Sequence, residues 1–175
     1  MSTISVMRQP FIIGVMGSHK NNHAAMKNAY LLGKEIAMRG HVLLTGGGGG
    51  VMSAASEGAH RAGGLVIAIL PNDRMRPLEG YPNEFVDIPI YTGMNDARNV
   101  INAKTPHVLI ALDGGPGTIS EIAVALKNGT PAIGLHCPKL EMWKERTFIR
   151  AETVEDALQE MDSIIRSWGF RGHNT

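Results

Sequence analysis

Cysteine is nearly missing from this chain. Cys137 is the only one among 175 residues, which excludes an intrachain disulfide and fits a reducing, cytoplasmic setting. Aromatic residues make up only 5%, too few for a base-stacking nucleic-acid platform. Neither charge sign dominates: 17 Lys and Arg face 16 Asp and Glu, and a net charge of +1 gives no electrostatic case for nucleic acid or an anionic membrane. No apolar run reaches the length of a membrane span, and Met1–Pro10 lacks the apolar centre of a signal peptide. Two nucleotide signatures are absent as well. The first glycine turn is spaced Gly14-x-x-Gly17 rather than G-x-G-x-x-G, and no glycine turn ends in Gly-Lys-Ser/Thr. A redox dehydrogenase and a P-loop NTPase are therefore poorly supported. The seven histidines show no metal spacing; His19 and His23 are four apart but lack a third ligand, so no catalytic metal ion is expected.

Glycine is what the chain has in excess, with 21 residues, and these cluster where apolar strands end. The length fits one domain with a real core, expected over 11–168 between tails at 1–10 and 169–175. Strand-like segments are expected at Phe11–Met16, His41–Leu44, Leu65–Leu70, Phe85–Ile90, His107–Leu112, Pro131–Leu135 and Thr147–Ala151. Helical spacing is expected at Ala24–Arg39, Val51–Ala62, Met94–Lys104, Ile119–Asn128 and Thr153–Trp168, the last with Thr153 as N-cap and Asp156 near the dipole. Pro71–Asn83 reads as a surface loop. Repeated strand–helix units with apolar strands predict an α/β, Rossmann-like doubly wound parallel sheet with helices on both faces.

Three glycine turns then fall at carboxyl ends of strands, along one sheet edge. They contribute Gly17 and Ser18; Thr45 with Gly46, Gly47, Gly48, Gly49 and Gly50; and Gly114, Gly115, Gly117 and Thr118. Such turns place free N–H groups at a helix N-terminus, where anions bind, and without a Cβ the backbone approaches a phosphate closely. Five successive glycines are entropically costly to order, which favours a loop that a ligand organises. A small phosphate-bearing ligand is the expected partner. Glu121, one turn into its helix, keeps a carboxylate near that ligand. Arg98 is the best cationic candidate, since a guanidinium holds a phosphate through two parallel hydrogen bonds. Asn95, Asp96, Asn99 and Asn102 surround it in sequence. His60 and Arg61 end a helix, where positive charge suits the dipole. Cys137 reads as an unreactive loop thiol, and the ten methionines as core filling.

Gly14-Val-Met-Gly17, Leu44-Thr-Gly-Gly47 with Gly50-Val-Met52, Arg98 and Gly114-Gly-Pro-Gly-Thr-Ile-Ser-Glu121 together resemble the Lonely Guy-like ("lysine decarboxylase-like") Rossmann superfamily over about Phe11–Leu135. Val86-Asp-Ile-Pro-Ile90, Ala97-Arg-Asn99 and Ile101-Asn-Ala103 make the chain most similar to the molybdenum cofactor carrier branch. That resemblance implies molybdenum cofactor (molybdopterin) as a bound ligand held by the three turns and Arg98. It also implies a homo-oligomer, dimer or tetramer, with Met94–Lys104 and the apolar face of Ile119–Leu126 as contact surfaces, and molybdoenzymes as recipients. The enzyme branch, the cytokinin-activating phosphoribohydrolases, cleaves nucleoside 5′-monophosphates and implies catalytic roles for Arg98 and Glu121. Its signature starts with Pro where this chain has Asp113, and its Arg-Lys pair reads Arg98-Asn99 here. The carrier is the favoured expectation, with the hydrolase as the alternative and a nucleotide sensor using the same pocket as a weaker third reading.

Overall fold

The apolar runs assemble into one seven-stranded sheet whose strands are all parallel, in a computed structural model that describes residues 10–138 and 148–171. In chain order the elements are β1 (Ile12–Gly17), α1 (His23–Met38), β2 (Val42–Thr45), α2 (Val51–Arg61), β3 (Val66–Leu70) and β4 (Ile88–Tyr91). There follow α3 (Asn99–Lys104), β5 (Val108–Leu112), α4 (Pro116–Lys127), β6 (Ala132–Leu135), β7 (Phe148–Ala151) and α5 (Val154–Arg171). Helices α1, α2 and α5 cover one face, and α3 and α4 the other. Central strands bury both faces: on β5, Val108, Ile110 and Leu112 enter the first core, while Leu109 and Ala111 enter the second. This explains why these strands read as continuous apolar runs rather than as an alternation.

Strand order is β4-β3-β2-β1-β5-β6-β7, so the winding direction reverses between β1 and β5. Their register sets Gly17 beside Leu112, and both chains leave the sheet there at their carboxyl ends. A crevice opens at such a switch point.

Helices α1 and α2 cross with almost no side chain between them. A Cβ on Gly33 would overlap the Ala55 carbonyl oxygen, and one on Gly58 would overlap the Tyr30 carbonyl oxygen. Gly33→Ala is therefore expected to push the helices apart and cost about 2–3 kcal/mol, read as a lower urea midpoint.

Most elements lie where the sequence places them, within one or two residues. Strand β4 starts three residues later than expected, because Asn83 takes up the preceding segment in a turn: its Oδ1 accepts from Phe85 N at 3.2 Å and its carbonyl from Val86 N at 3.3 Å. The helix expected over Met94–Lys104 splits into a 3₁₀ turn at Asn95–Arg98 and α3, with Asn95 in the left-handed region at φ 49°. Helix α4 begins at Pro116 rather than Ile119, proline being well suited to the first helical position. Helix α5 runs to Arg171, past the expected end at Trp168, and Thr153 and Asp156 cap it reciprocally at 3.1 and 2.9 Å. Of the expected oligomer surfaces, α4 turns Ile122 and Ala125 into the core, which withdraws them from any partner. The expected tail residues 1–9 and 172–175, and Thr147 of the last expected strand, lie outside the described residues.

Candidate functional site

At the β1/β5 switch point lies a cavity of about 900 Å3. Its walls are the β1–α1 turn from Gly17 to His23, the β5–α4 turn from Asp113 to Thr118, Arg98 with its neighbours Asp96 and Asn99, Tyr81, and Glu121. Met16 and Met52 contribute apolar surface.

The N-terminus of α4 opens into this cavity. No side chain caps Gly115, and Pro116 has no N–H to satisfy, so the first free backbone donors are those of Gly117 and Thr118. Thr118 is only 4% exposed, yet its hydroxyl has no hydrogen-bond partner among the described residues. Uncapped donors beside a hydroxyl that no protein group engages suit an anion.

Facing it, Asn22 works with both ends of its amide. Its Oδ1 caps α1 by accepting from Ala24 N and Ala25 N at 3.1 and 3.3 Å, while its Nδ2 donates to Asp113 Oδ2 at 2.9 Å. That bond ties the β1–α1 turn to the β5–α4 turn across the crevice. Asp113 stands at φ 55°, a conformation closed to proline, whose ring fixes φ near −65°. The departure from the hydrolase signature is thus built into the backbone of the turn.

Arg98 is 9% exposed, and its Nη1 donates to Gly46 O at 2.9 Å and Ile69 O at 2.7 Å. It is a buried brace that also lines the cavity. Glu121 is 7% exposed and accepts from Asn102 Nδ2 at 2.8 Å through Oε1. Burial raises its pKa to about 7, against smaller opposing effects from the Asn102 bond and the Arg98 charge. At neutral pH the carboxyl is therefore divided between its neutral and charged forms, which reduces repulsion toward an anionic ligand.

The five-glycine turn behaves differently from expectation. Thr45 is fully buried, with its hydroxyl accepting from Gly47 N at 3.1 Å and lying 3.4 Å from Ser56 Oγ. Neither Thr45 nor Gly46–Gly50 is among the residues lining the cavity. Protein contacts order the loop: Arg98 holds Gly46 O, and Asn83 holds Gly47 O and Gly48 O at 2.8 and 3.0 Å. Gly17, Ser18, Gly114, Gly115, Gly117, Thr118, Arg98 and Glu121 are the expected residues that the fold does bring together.

Sequence reading passed over Lys20, Asn22 and Tyr81, which all line the cavity. Asn22 was legible as the polar residue just before α1, and Tyr81 as part of a long connection of the kind that often carries function. His19 and His23 also line it, but among the described residues no three His, Cys, Asp or Glu side chains gather around a common point. Cys137 lies in the loop after β6, as expected, and is buried there; its Sγ donates to Ala111 O at 3.3 Å, and burial, helped by the Asp113 charge, pushes its pKa up to about 12. No thiolate is available there for nucleophilic work. His60 pairs with Asp87 at 3.3 Å and Arg61 with Glu57 at 2.7 Å, both structural contacts. No helix among the described residues is long and apolar enough to cross a membrane.

Residues 10–166 match the SLOG cluster4 family. The chain belongs to that family. An uncharacterised family relative from Archaeoglobus fulgidus is 47% identical over 83% of this chain and 91% of its own length. Among solved structures, the molybdenum cofactor binding protein of the phototrophic bacterium Rippkaea orientalis superposes with a TM-score of 0.82 at 43% identity, covering 91% of this chain and 99% of that one. The molybdenum cofactor carrier protein of Chlamydomonas reinhardtii gives 0.80 at 36% identity, covering 90% and 99%. In this SLOG cluster4 member the all-parallel sheet forms a Rossmann-like doubly wound fold, with its crevice at the β1/β5 switch point.

Proposed function

We propose that this chain binds molybdenum cofactor in the switch-point cavity, shields it and hands it to molybdoenzymes without making or breaking a covalent bond. The open N-terminus of α4, with the unpaired Thr118 hydroxyl beside it, is the observation that carries this reading. The cofactor is a pterin ending in one phosphate and carrying a dithiolene-bound molybdenum oxo group. A phosphate there would take hydrogen bonds from the Gly117 and Thr118 N–H groups and from Thr118 Oγ1, with Ser18 and Arg98 adjoining. The volume suits a ligand of that size. Two solved relatives that match over nearly their full lengths are described as binding or carrying the same cofactor. No catalytic metal ion is needed for such a role.

One observation favours the alternative, hydrolysis of nucleoside 5′-monophosphates. A buried carboxyl poised near neutrality beside a guanidinium is suited to proton transfer. Against it, Arg98 already commits one amino group to two backbone carbonyls. A paired assay on one preparation separates the two. Cofactor transfer into an apo-molybdoenzyme, with no base released from AMP, is the expected result. Ribose 5-phosphate formed at enzymatic rates, and lost in Glu121→Gln, would overturn it.

The reading extends to a cytoplasmic homo-oligomer with no nucleic-acid or membrane partner. On the Met94–Lys104 surface expected to meet another copy, Met94 and Val100 are 44% and 45% exposed. A solution mass equal to one 18.8 kDa chain would remove the oligomer from the proposal.

A further inference from the structure

The glycine run that does not line the cavity is explained by what rests on it. A Cβ on Gly46 would overlap Arg98 Nη1; one on Gly48 would lie 2.6 Å from Tyr81 Cζ and Oη; one on Gly50 would lie 2.5 Å from the Ser18 carbonyl oxygen. Arg98, Tyr81 and Ser18 each line the cavity. The loop is thus a foundation for three of its walls. Arg98 arrives from the turn before α3 and Ser18 from the end of β1. Tyr81 comes from the long β3–β4 connection, and what brings it there is Asn83. The Asn83 N–H donates to Gly47 O and its Nδ2 to Gly48 O, pinning that connection to the glycine loop two residues from the ring.

Among the described residues, Tyr81 is the only Phe, Tyr or Trp that lines the cavity, in a chain with few aromatics. Its ring is half-buried, and its hydroxyl makes no hydrogen bond among the described residues. Beside the apolar surface of Met16 and Met52, an aromatic face offers dispersion and π contact to a flat ring, with little dependence on which ring it is. We infer that Tyr81 is the ring-recognising residue of this cavity, against which the planar nitrogen heterocycle of a phosphate-bearing ligand rests while its phosphate sits at α4. The inference rests on the preceding reading that the ligand combines a phosphate with such a heterocycle. It names the residue that distinguishes a pterin or purine phosphate from a bare sugar phosphate.

The test measures binding of three probes to wild type, Tyr81→Phe, Tyr81→Leu and Gly48→Ala. The probes are molybdenum cofactor released from a molybdoenzyme, AMP, and ribose 5-phosphate, which keeps the phosphate and lacks the ring. Tyr81→Leu preserves apolar volume without the π face and should weaken the ring-bearing probe by about 10- to 100-fold. Its affinity for ribose 5-phosphate should stay within about twofold, since stacking is absent from that complex. Tyr81→Phe should bind like wild type. Gly48→Ala, which leaves the ring intact but displaces it, should reproduce the selective loss. Equal weakening toward ribose 5-phosphate would make Tyr81 a loop support only and overturn the assignment, as would no weakening at all. Wild type that takes AMP but ignores molybdenum cofactor would overturn the carrier reading alone, with Tyr81 then judged on AMP. Wild type that takes neither ring-bearing probe overturns both.

Discussion

Arg98→Ala is expected to lower the stability of this chain by about 2–6 kcal/mol, because two buried backbone carbonyls lose their donor. The urea midpoint should fall accordingly with the slope unchanged. The guanidinium spans two neighbouring strands through Nη1, reaching Gly46 O just beyond β2 and Ile69 O within β3. Deleting it strands two carbonyls in a buried setting, each costing about 1–3 kcal/mol when left without a donor. It also leaves a void above Gly46, whose lack of a Cβ exists to admit the guanidinium. Arg98→Lys should recover only part of the loss, because an ammonium on a flexible stem is a poorer match to a site shaped for a planar fork. Ligand binding should fall as well, since Arg98 lines the cavity. A loss of binding with stability intact would mean that Arg98 serves the ligand and not the fold.

That dual role shows where the sequence was legible and where it was not. Strand and helix order could be read because glycine and proline punctuate apolar runs at Gly40, Gly63, Gly64 and Gly129, and burial on both faces makes the central strands continuously apolar. The β5–α4 turn could be read for a local reason: a strand, a glycine turn and a helix start are contiguous, so their geometry follows from sequence neighbours. The five-glycine turn could not, because its partners are distant in sequence. Arg98 lies 52 residues from Gly46 and Asn83 lies 35 from Gly48, and only the folded sheet brings them together. Glycine in such a run signals close approach, but the sequence does not say whether a ligand or a side chain approaches. Gly33 and Gly58 carry the same ambiguity inside helices, where the approaching group proves to be the backbone of the neighbouring helix. Asp113 shows the reverse case. In sequence it is only a departure from the proline of the hydrolase signature, whereas in the fold its carboxylate is engaged by Asn22 and its left-handed backbone excludes that proline.

Glu121→Gln should stabilise the protein at pH 8 by about 3 kcal/mol and change little at pH 4, as follows from the shift of its pKa from 4.5 to about 7. The native state keeps a proton on Glu121 that the unfolded chain releases from pH 4.5 upward. Wild-type stability therefore declines as pH rises from about 4.5, and the decline ends above about 7, where the native state has lost the proton too. Glutamine never ionises, while its Oε1 still accepts from Asn102, so the variant avoids this penalty. Wild-type and variant profiles that run parallel from pH 4 to 8 would show that the carboxyl is not held neutral in the native state. The same substitution discriminates between the two chemistries. A carrier that contacts its ligand through the neutral acid keeps a hydrogen-bond donor in the glutamine amide, so its affinity at pH 6 should persist and its weakening toward pH 8 should disappear. A hydrolase that moves a proton through Glu121 loses that proton entirely, and no choice of pH restores turnover. A buried carboxyl that costs stability at working pH is retained for function, and this pair of profiles reads out which function that is.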